Sequence, residues 1–210
     1  MYCTTCNCEY SGWNYRCPVC KSTLQEPQSE LPLSSAAEVP YDELVERVRQ
    51  AGGRLSFEIN TTQVRKKRDI RFPFRGYGFA WADKLSGQQD GLQVEMFTAR
   101  VEEDRSESFP YFGYGFAWEQ EMEGHVGGHP LALQARAVQR KRGQAFPYLG
   151  RGYAWTEELA GSCGPRLQAT FHTTATGRSR GFRFPYFGFG YAWIAGATLS
   201  LALNETGLPE

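Results

Sequence analysis

A ten-residue phrase, FPYFGYGFAW at 109–118, occurs in this chain four times. The other copies are FPFRGYGFAW (72–81), FPYLGRGYAW (146–155) and FPYFGFGYAW (184–193), with starts 37, 37 and 38 residues apart. A fixed period of this size marks a repeat architecture or an internally symmetric closed fold. Everything after about residue 54 is therefore one structural unit used four times. Aromatic content of 14% is high for a chain that is 41% hydrophobic overall, and most of the excess sits in these copies.

Each unit has two halves. The first opens LSFEINTTQV (55–64), LQVEMFTARV (92–101), LALQARAVQR (131–140) or LQATFHTTAT (167–176). Leu55, Phe57 and Ile59 alternate with Ser56, Glu58 and Asn60, a period of two with one apolar face, which reads as a half-buried antiparallel strand. The motif supplies the second strand. Its Pro cannot donate to a ladder, so FP marks the turn, and from there Gly113, Gly115 and Ala117 alternate with Phe112, Tyr114, Phe116 and Trp118. Four hairpins give eight strands, with LSLAL (199–203) a candidate ninth. Short links make the order up-and-down, and closure disposes of the edges an open sheet would expose. The expected fold is mostly β, a pseudo-fourfold antiparallel up-and-down barrel over 54–204. A four-bladed propeller is the alternative, but two strands per repeat are too few for a blade.

The segments upstream read differently. PYDELVERVRQAGG opens on Pro40 with acids behind it and closes on Arg47, Arg49 and Gly52-Gly53, the punctuation of a short helix over 40–53. Its apolar face, Leu44, Val45, Val48 and Ala51, should dock on the barrel, as a cap or plug at one end or as a cover over an edge. Residues 25–39 are rich in Ser, Pro and Gln without apolar period and read as a flexible linker. Residues 1–24 hold two C-x-x-C pairs, Cys3/Cys6 and Cys17/Cys20, whose thiolates can converge tetrahedrally on one structural Zn²⁺. Cys8 is a spare thiol that could replace Cys6. A disulfide framework, an iron site of rubredoxin type and a redox pair are the competing readings of these cysteines. The pattern over 2–21 resembles the zinc-ribbon module. In so small a unit the metal would supply most of the folding free energy, of order 10 kcal/mol. Cys163, in SCGP, reads as an idle thiol.

Overlaying the four copies separates fixed from varying positions. Trp81, Trp118, Trp155 and Trp193 are fixed, as are Phe79, Phe116, Tyr153 and Tyr191, and under closure they form two aromatic rings that would fill the barrel's centre as core. Nearer the FP end one position reads Arg75, Phe112, Leu149, Phe187 and the next Tyr77, Tyr114, Arg151, Phe189. An arginine does not sit unpaired in a dry core, so this end should open to solvent or to an anion, as a shallow aromatic bowl. The segments before the motif, RKKRDIR (65–71), QRKRGQA (139–145) and GRSRGFR (177–183), read as basic loops that include Arg68, Arg142 and Arg180. Formal charge over 65–75, 102–112, 139–151 and 176–187 is +5, −3, +4 and +3, against −1, −3 and −1 over 82–91, 119–130 and 156–166. A chain of zero net charge thus reads as strongly polarised between its two rims.

His125, His129 and His172 make no site, and no nucleophile elbow, phosphate-binding Gly loop or H-E-x-x-H is present. An enzyme is not expected. No apolar run approaches the roughly 18 residues a membrane-spanning helix needs, and no secretory leader opens the chain. The expected home is the cytoplasm, with peripheral attachment to a membrane open. The P-x-x-G-x-G-x-x-W-type hairpins over roughly 54–204 resemble the β-flower proteins, shallow symmetric barrels likened distantly to the tubby C-terminal domain. That resemblance implies an apolar interior and binding to anionic phospholipid. The expected function is non-enzymatic: the aromatic, basic rim binds an anionic lipid, a small amphiphile or an anionic membrane surface. The ribbon would serve as a structural module or as an adaptor to a protein. A single-stranded nucleic-acid adaptor and an oligomeric interaction scaffold are the alternatives.

Overall fold

The computed structural model describes residues 2–3, 8–9, 38–71, 75–108, 112–145, 149–183 and 187–204. Near the N-terminus β1 (Tyr2–Cys3) and β2 (Cys8–Glu9) form an antiparallel pair with Cys3 opposite Cys8. Cys6, Cys17 and Cys20, and with them the expected zinc site, lie outside the described residues.

The main body is one helix and eight strands. After α1 (Tyr41–Gln50) come β3 (Arg54–Arg71), β4 (Arg75–Gln89), β5 (Leu92–Ser108), β6 (Phe112–Val126), β7 (His129–Ala145), β8 (Leu149–Cys163), β9 (Leu167–Arg183) and β10 (Phe187–Leu203). They close antiparallel in chain order, with β10 returning to β3. The tight links β4–β5 and β6–β7 use pairs in the left-handed region, Asp90-Gly91 and Gly127-Gly128, as two-residue hairpins demand. LSLAL is the last third of β10, paired with β9 and β3, and adds no ninth strand. The segments 65–71, 139–145 and 177–183 are the outer ends of β3, β7 and β9; they continue their strands rather than forming loops.

The barrel has two halves of different construction. In the half away from the FP ends, neighbouring hairpins are joined by ladders: 84–89 with 92–97, 121–126 with 129–134, 158–163 with 167–172, and 54–60 with 196–202. Inward residues here form one mainly aliphatic core that includes Leu55, Phe57, Ile59, Leu85, Val94, Met96, Met122, Leu159, Phe171 and Leu199. In the FP half each hairpin's backbone ladder runs only within itself, as from Val64↔Ala82 to Arg71↔Arg75. The change falls at a bulge repeated in all four hairpins, between Thr61 and Val64, Thr98 and Val101, Ala135 and Val138, and Ile194 and Ala197. A bulge bends its strand and ends regular pairing, so each hairpin leaves its neighbours there.

Where the ladders stop, backbone groups need new partners. The carbonyls of Ala82, Thr156 and Ile194 accept the hydroxyls of Thr98, Thr173 and Thr61 at 2.5–2.6 Å. At the fourth fork Ala135 replaces the threonine, and the Thr156 hydroxyl donates to the Glu119 carbonyl at 2.6 Å. The Glu119 carboxyl, fully buried, accepts from the Ala82 N–H at 2.7 Å and the Thr156 N–H at 3.4 Å, with the Thr156 hydroxyl 3.0 Å from Oε2. Burial raises its pKa above the ordinary carboxylate value, against the lowering effect of these hydrogen bonds.

Helix α1 plugs the aliphatic end. Leu44, Val45 and Val48 enter the main core. Its polar side chains reach two of the three strand connections at that end, Arg47 donating to the Asp90 carbonyl and the Tyr41 hydroxyl to the Cys163 carbonyl, both at 2.9 Å, and just before the helix the Val39 N–H donates to the Gly127 carbonyl of the third at 3.2 Å. The Cys163 thiol is buried against this plug, and its pKa is pushed up to about 11 by desolvation.

Candidate functional site

In the FP half the even strands β4, β6, β8 and β10 meet at the axis through the second glycine of each motif. A Cβ on Gly115 would stand 2.6 Å from the Gly78 carbonyl oxygen, one on Gly152 2.6 Å from that of Gly115, and one on Gly190 2.7 Å from that of Gly152. No real side chain fits at such distances, so the chain uses glycine. Closure by backbone leaves the aromatic side chains nowhere to go but the seams between hairpins. Tyr77, Phe79 and half-buried Trp81 pack with Ala117 and Val101 of the next hairpin; Tyr114, Phe116 and Trp118 pack with Ala154 and Val138; Phe189, Tyr191 and Trp193 pack with Ala80. Trp155 is buried and Tyr153 half-buried. The rings expected at the barrel's centre are thus core, but core of the seams.

The bowl is filled in the same way. Tyr77, Tyr114 and Phe189 are only 1–2% exposed and stack on Phe79, Phe116 and Tyr191 at 6.4–6.5 Å between centroids. Phe112, Leu149 and Phe187 begin their strands, and their side chains lie outside the described residues, as do the FP tips themselves.

The cations of the odd strands lie over these rings. The register sets Arg68, Arg105, Arg142 and Arg180 opposite Gly78, Gly115, Gly152 and Gly190. Arg68 covers Phe189 at 5.8 Å, Arg105 covers Tyr77 at 5.9 Å and Arg142 covers Tyr114 at 5.5 Å. Two residues earlier, Lys66 covers Trp193 at 4.9 Å, Arg140 covers Trp118 at 4.3 Å and Arg178 covers Trp155 at 5.1 Å. Each hairpin thus lays its cations on the aromatics of the hairpin before it, an arrangement worth about 0.5–1 kcal/mol per exposed contact. The symmetry breaks twice. Glu103 stands where Lys66, Arg140 and Arg178 stand, and it pairs with Lys67 at 2.9 Å. Arg151 stands where Tyr77, Tyr114 and Phe189 stand.

Charge is correspondingly uneven around the barrel. Apart from Glu119 at the fork, every acidic residue of the FP half lies on β3 or β5, where Asp69 pairs with Arg105, Asp104 with Arg140, and Glu107 with Arg75 at 2.6 Å. The FP halves of β7 to β10 hold no acid, only Arg140, Lys141, Arg142, Arg151, Arg178, Arg180 and Arg183. Of the two arginines expected at the mouth, Arg75 is therefore neutralised by a neighbour, and Arg151 has no ion pair among the described residues. The acid-free part of the basic rim is a sector spanning two adjacent hairpins.

Comparison with protein-family models, curated proteins and solved structures returns no match. Among the described residues no group of three or more His, Cys, Asp or Glu side chains is placed to hold a metal, and no helix is long and apolar enough to cross a membrane. Two residues that matter were missed in the sequence. Glu119 shows itself in the column Ala82, Glu119, Thr156, Ile194, as a charge at an otherwise uncharged repeat position. Arg105 shows itself in the column of four arginines, hidden by the acids around it.

Proposed function

We propose that this is a non-catalytic binding protein that docks the FP end of its barrel on an anionic membrane surface. One juxtaposition carries the reading: four connections of sequence FPF, FPY, FPY and FPY join strands at the same end that bears the acid-free basic halves of β7 to β10. Aromatic residues suit the membrane–water interface, and each Lys or Arg near such a surface contributes about 1 kcal/mol. The burial of Tyr77, Tyr114 and Phe189 favours a surface over an amphiphile held within the aromatic face, and it also removes the rings that stacking on nucleic-acid bases would use. A zinc ribbon on Cys3, Cys6, Cys17 and Cys20 would be a separate structural or adaptor module. Its test is a tetrahedral thiolate spectrum after substitution by Co²⁺.

Co-sedimentation with vesicles of phosphatidylcholine and phosphatidylserine tests the docking. Binding should fall steeply with salt, and Lys141→Glu, Arg180→Glu and Arg183→Glu together should weaken it by roughly a hundredfold or more. Vesicle binding that ignores the triple reversal, or retention of single-stranded oligonucleotides in place of vesicles, would overturn the reading.

A further inference from the structure

We propose that Arg151 of β8 and Arg180 of β9 form a binding site for a phosphate-class oxyanion. The inference names the ligand chemistry of the basic sector and rests on that sector being a binding face.

Three seams between hairpins are finished by an aromatic ring under a guanidinium: Phe189 under Arg68, Tyr77 under Arg105 and Tyr114 under Arg142. The fourth seam has the guanidinium but not the ring. Arg180 is the cross-strand partner of Gly190, and a Cβ on Gly190 would meet the Gly152 carbonyl at 2.7 Å and the Tyr153 ring at 2.9 Å. This face of the β9–β10 hairpin is therefore turned toward β8, and the residue it meets at the ring position is Arg151.

Arg151 is half-buried, and its Nε–H is buried without a hydrogen-bond partner. Among the described residues neither Arg151 nor Arg180 has an ion pair. No acidic residue of the FP halves of β7 to β10 is present to supply one. Two like charges at one seam and an orphaned buried donor both oppose folding. One ligand that is polyanionic and rich in acceptor oxygens relieves both. Two planar guanidinium forks match phosphate, which accepts bidentate pairs from each.

The test uses the full chain, melted in sodium phosphate and in sodium chloride at matched ionic strength. Phosphate should raise the melting temperature beyond chloride. Arg151→Tyr rebuilds the ring of the other seams and should fold; it and Arg180→Gln should each weaken phosphate binding roughly tenfold or more. Arg105→Gln, in the seam of Tyr77, should leave the phosphate response in place. No stabilisation of the natural protein beyond chloride, or full stabilisation of Arg151→Tyr, overturns the site. Vesicles distinguish the source. A preference for phosphatidic acid over phosphatidylserine that Arg151→Tyr abolishes assigns a lipid headgroup. Phosphate stabilisation with equal sedimentation of both proteins assigns a free phosphate compound. If the natural protein ignores vesicles but keeps its phosphate response, docking fails and the site stands.

Discussion

Glu119 shows how one residue ties three strands together. Its carboxyl closes the point where ladders end on β4 and β8, taking the N–H groups of Ala82 and Thr156 out of an otherwise apolar interior. When protonated, Oε2–H can donate to the Thr156 hydroxyl while that hydroxyl donates to the Glu119 carbonyl; when ionised, one hydroxyl hydrogen faces two acceptors. The folded pKa is raised above 4.5, so the native state holds the proton more tightly than the unfolded chain. That contribution is fully present below about pH 4.5 and is lost as pH rises through the folded value. Urea melts from pH 4 to 8 should show this decline in the natural protein, and Glu119→Gln, which keeps an acceptor for Ala82 and a donor for Thr156, should flatten it. Glu119→Leu should cost about 1–3 kcal/mol for each N–H left unpaired. Equal slopes for the natural protein and Glu119→Gln would place the proton elsewhere.

At the scale of strands and hairpins, glycine decides how the FP half closes. Gly152→Ala sets a methyl group against the backbone of Gly115 and the Phe116 ring, and overpacking of this kind costs about 1–3 kcal/mol. Gly143→Ala, on the outer strand of the same hairpin, meets only the Tyr153 ring at 3.6 Å and should stay within about 0.5 kcal/mol of the parent. Chemical denaturation of the two variants checks the contrast, and similar losses in both would deny the axial contact. The strands themselves were legible in the sequence, because period-two alternation and a fixed FP turn survive in every copy. The outer ends of β3, β7 and β9 were not. A run such as RKRG has the composition of a solvated loop, and only the rings beneath it on the preceding hairpin make it a strand with a packed face.

For the molecule as a whole, the two ends of the barrel do different work. One is sealed by α1, whose Leu44 is wholly buried among strand residues. Leu44→Ala should cost about 2–5 kcal/mol, read by thermal or urea melting; a change under about 1 kcal/mol would make the helix a surface cover. The other end carries the FP connections and the uneven charge on which the membrane and oxyanion proposals depend.

Four copies at an even period were enough to give an antiparallel barrel of four hairpins, its chain order and its strand faces, because repetition and alternation are properties of the chain alone. The helix was legible from its punctuation. Which residues face solvent was not, because in the FP half burial is set between hairpins that are neighbours only after closure. Tyr77 is covered because Arg105 of the next hairpin lies on it, and Arg75 is neutralised because Glu107 reaches it. The proposed pairing of Arg151 with Arg180, 29 residues apart in sequence, depends on closure for the same reason. The repeat is written in the chain, but the pairing of its exceptions exists only once the ring of hairpins has closed.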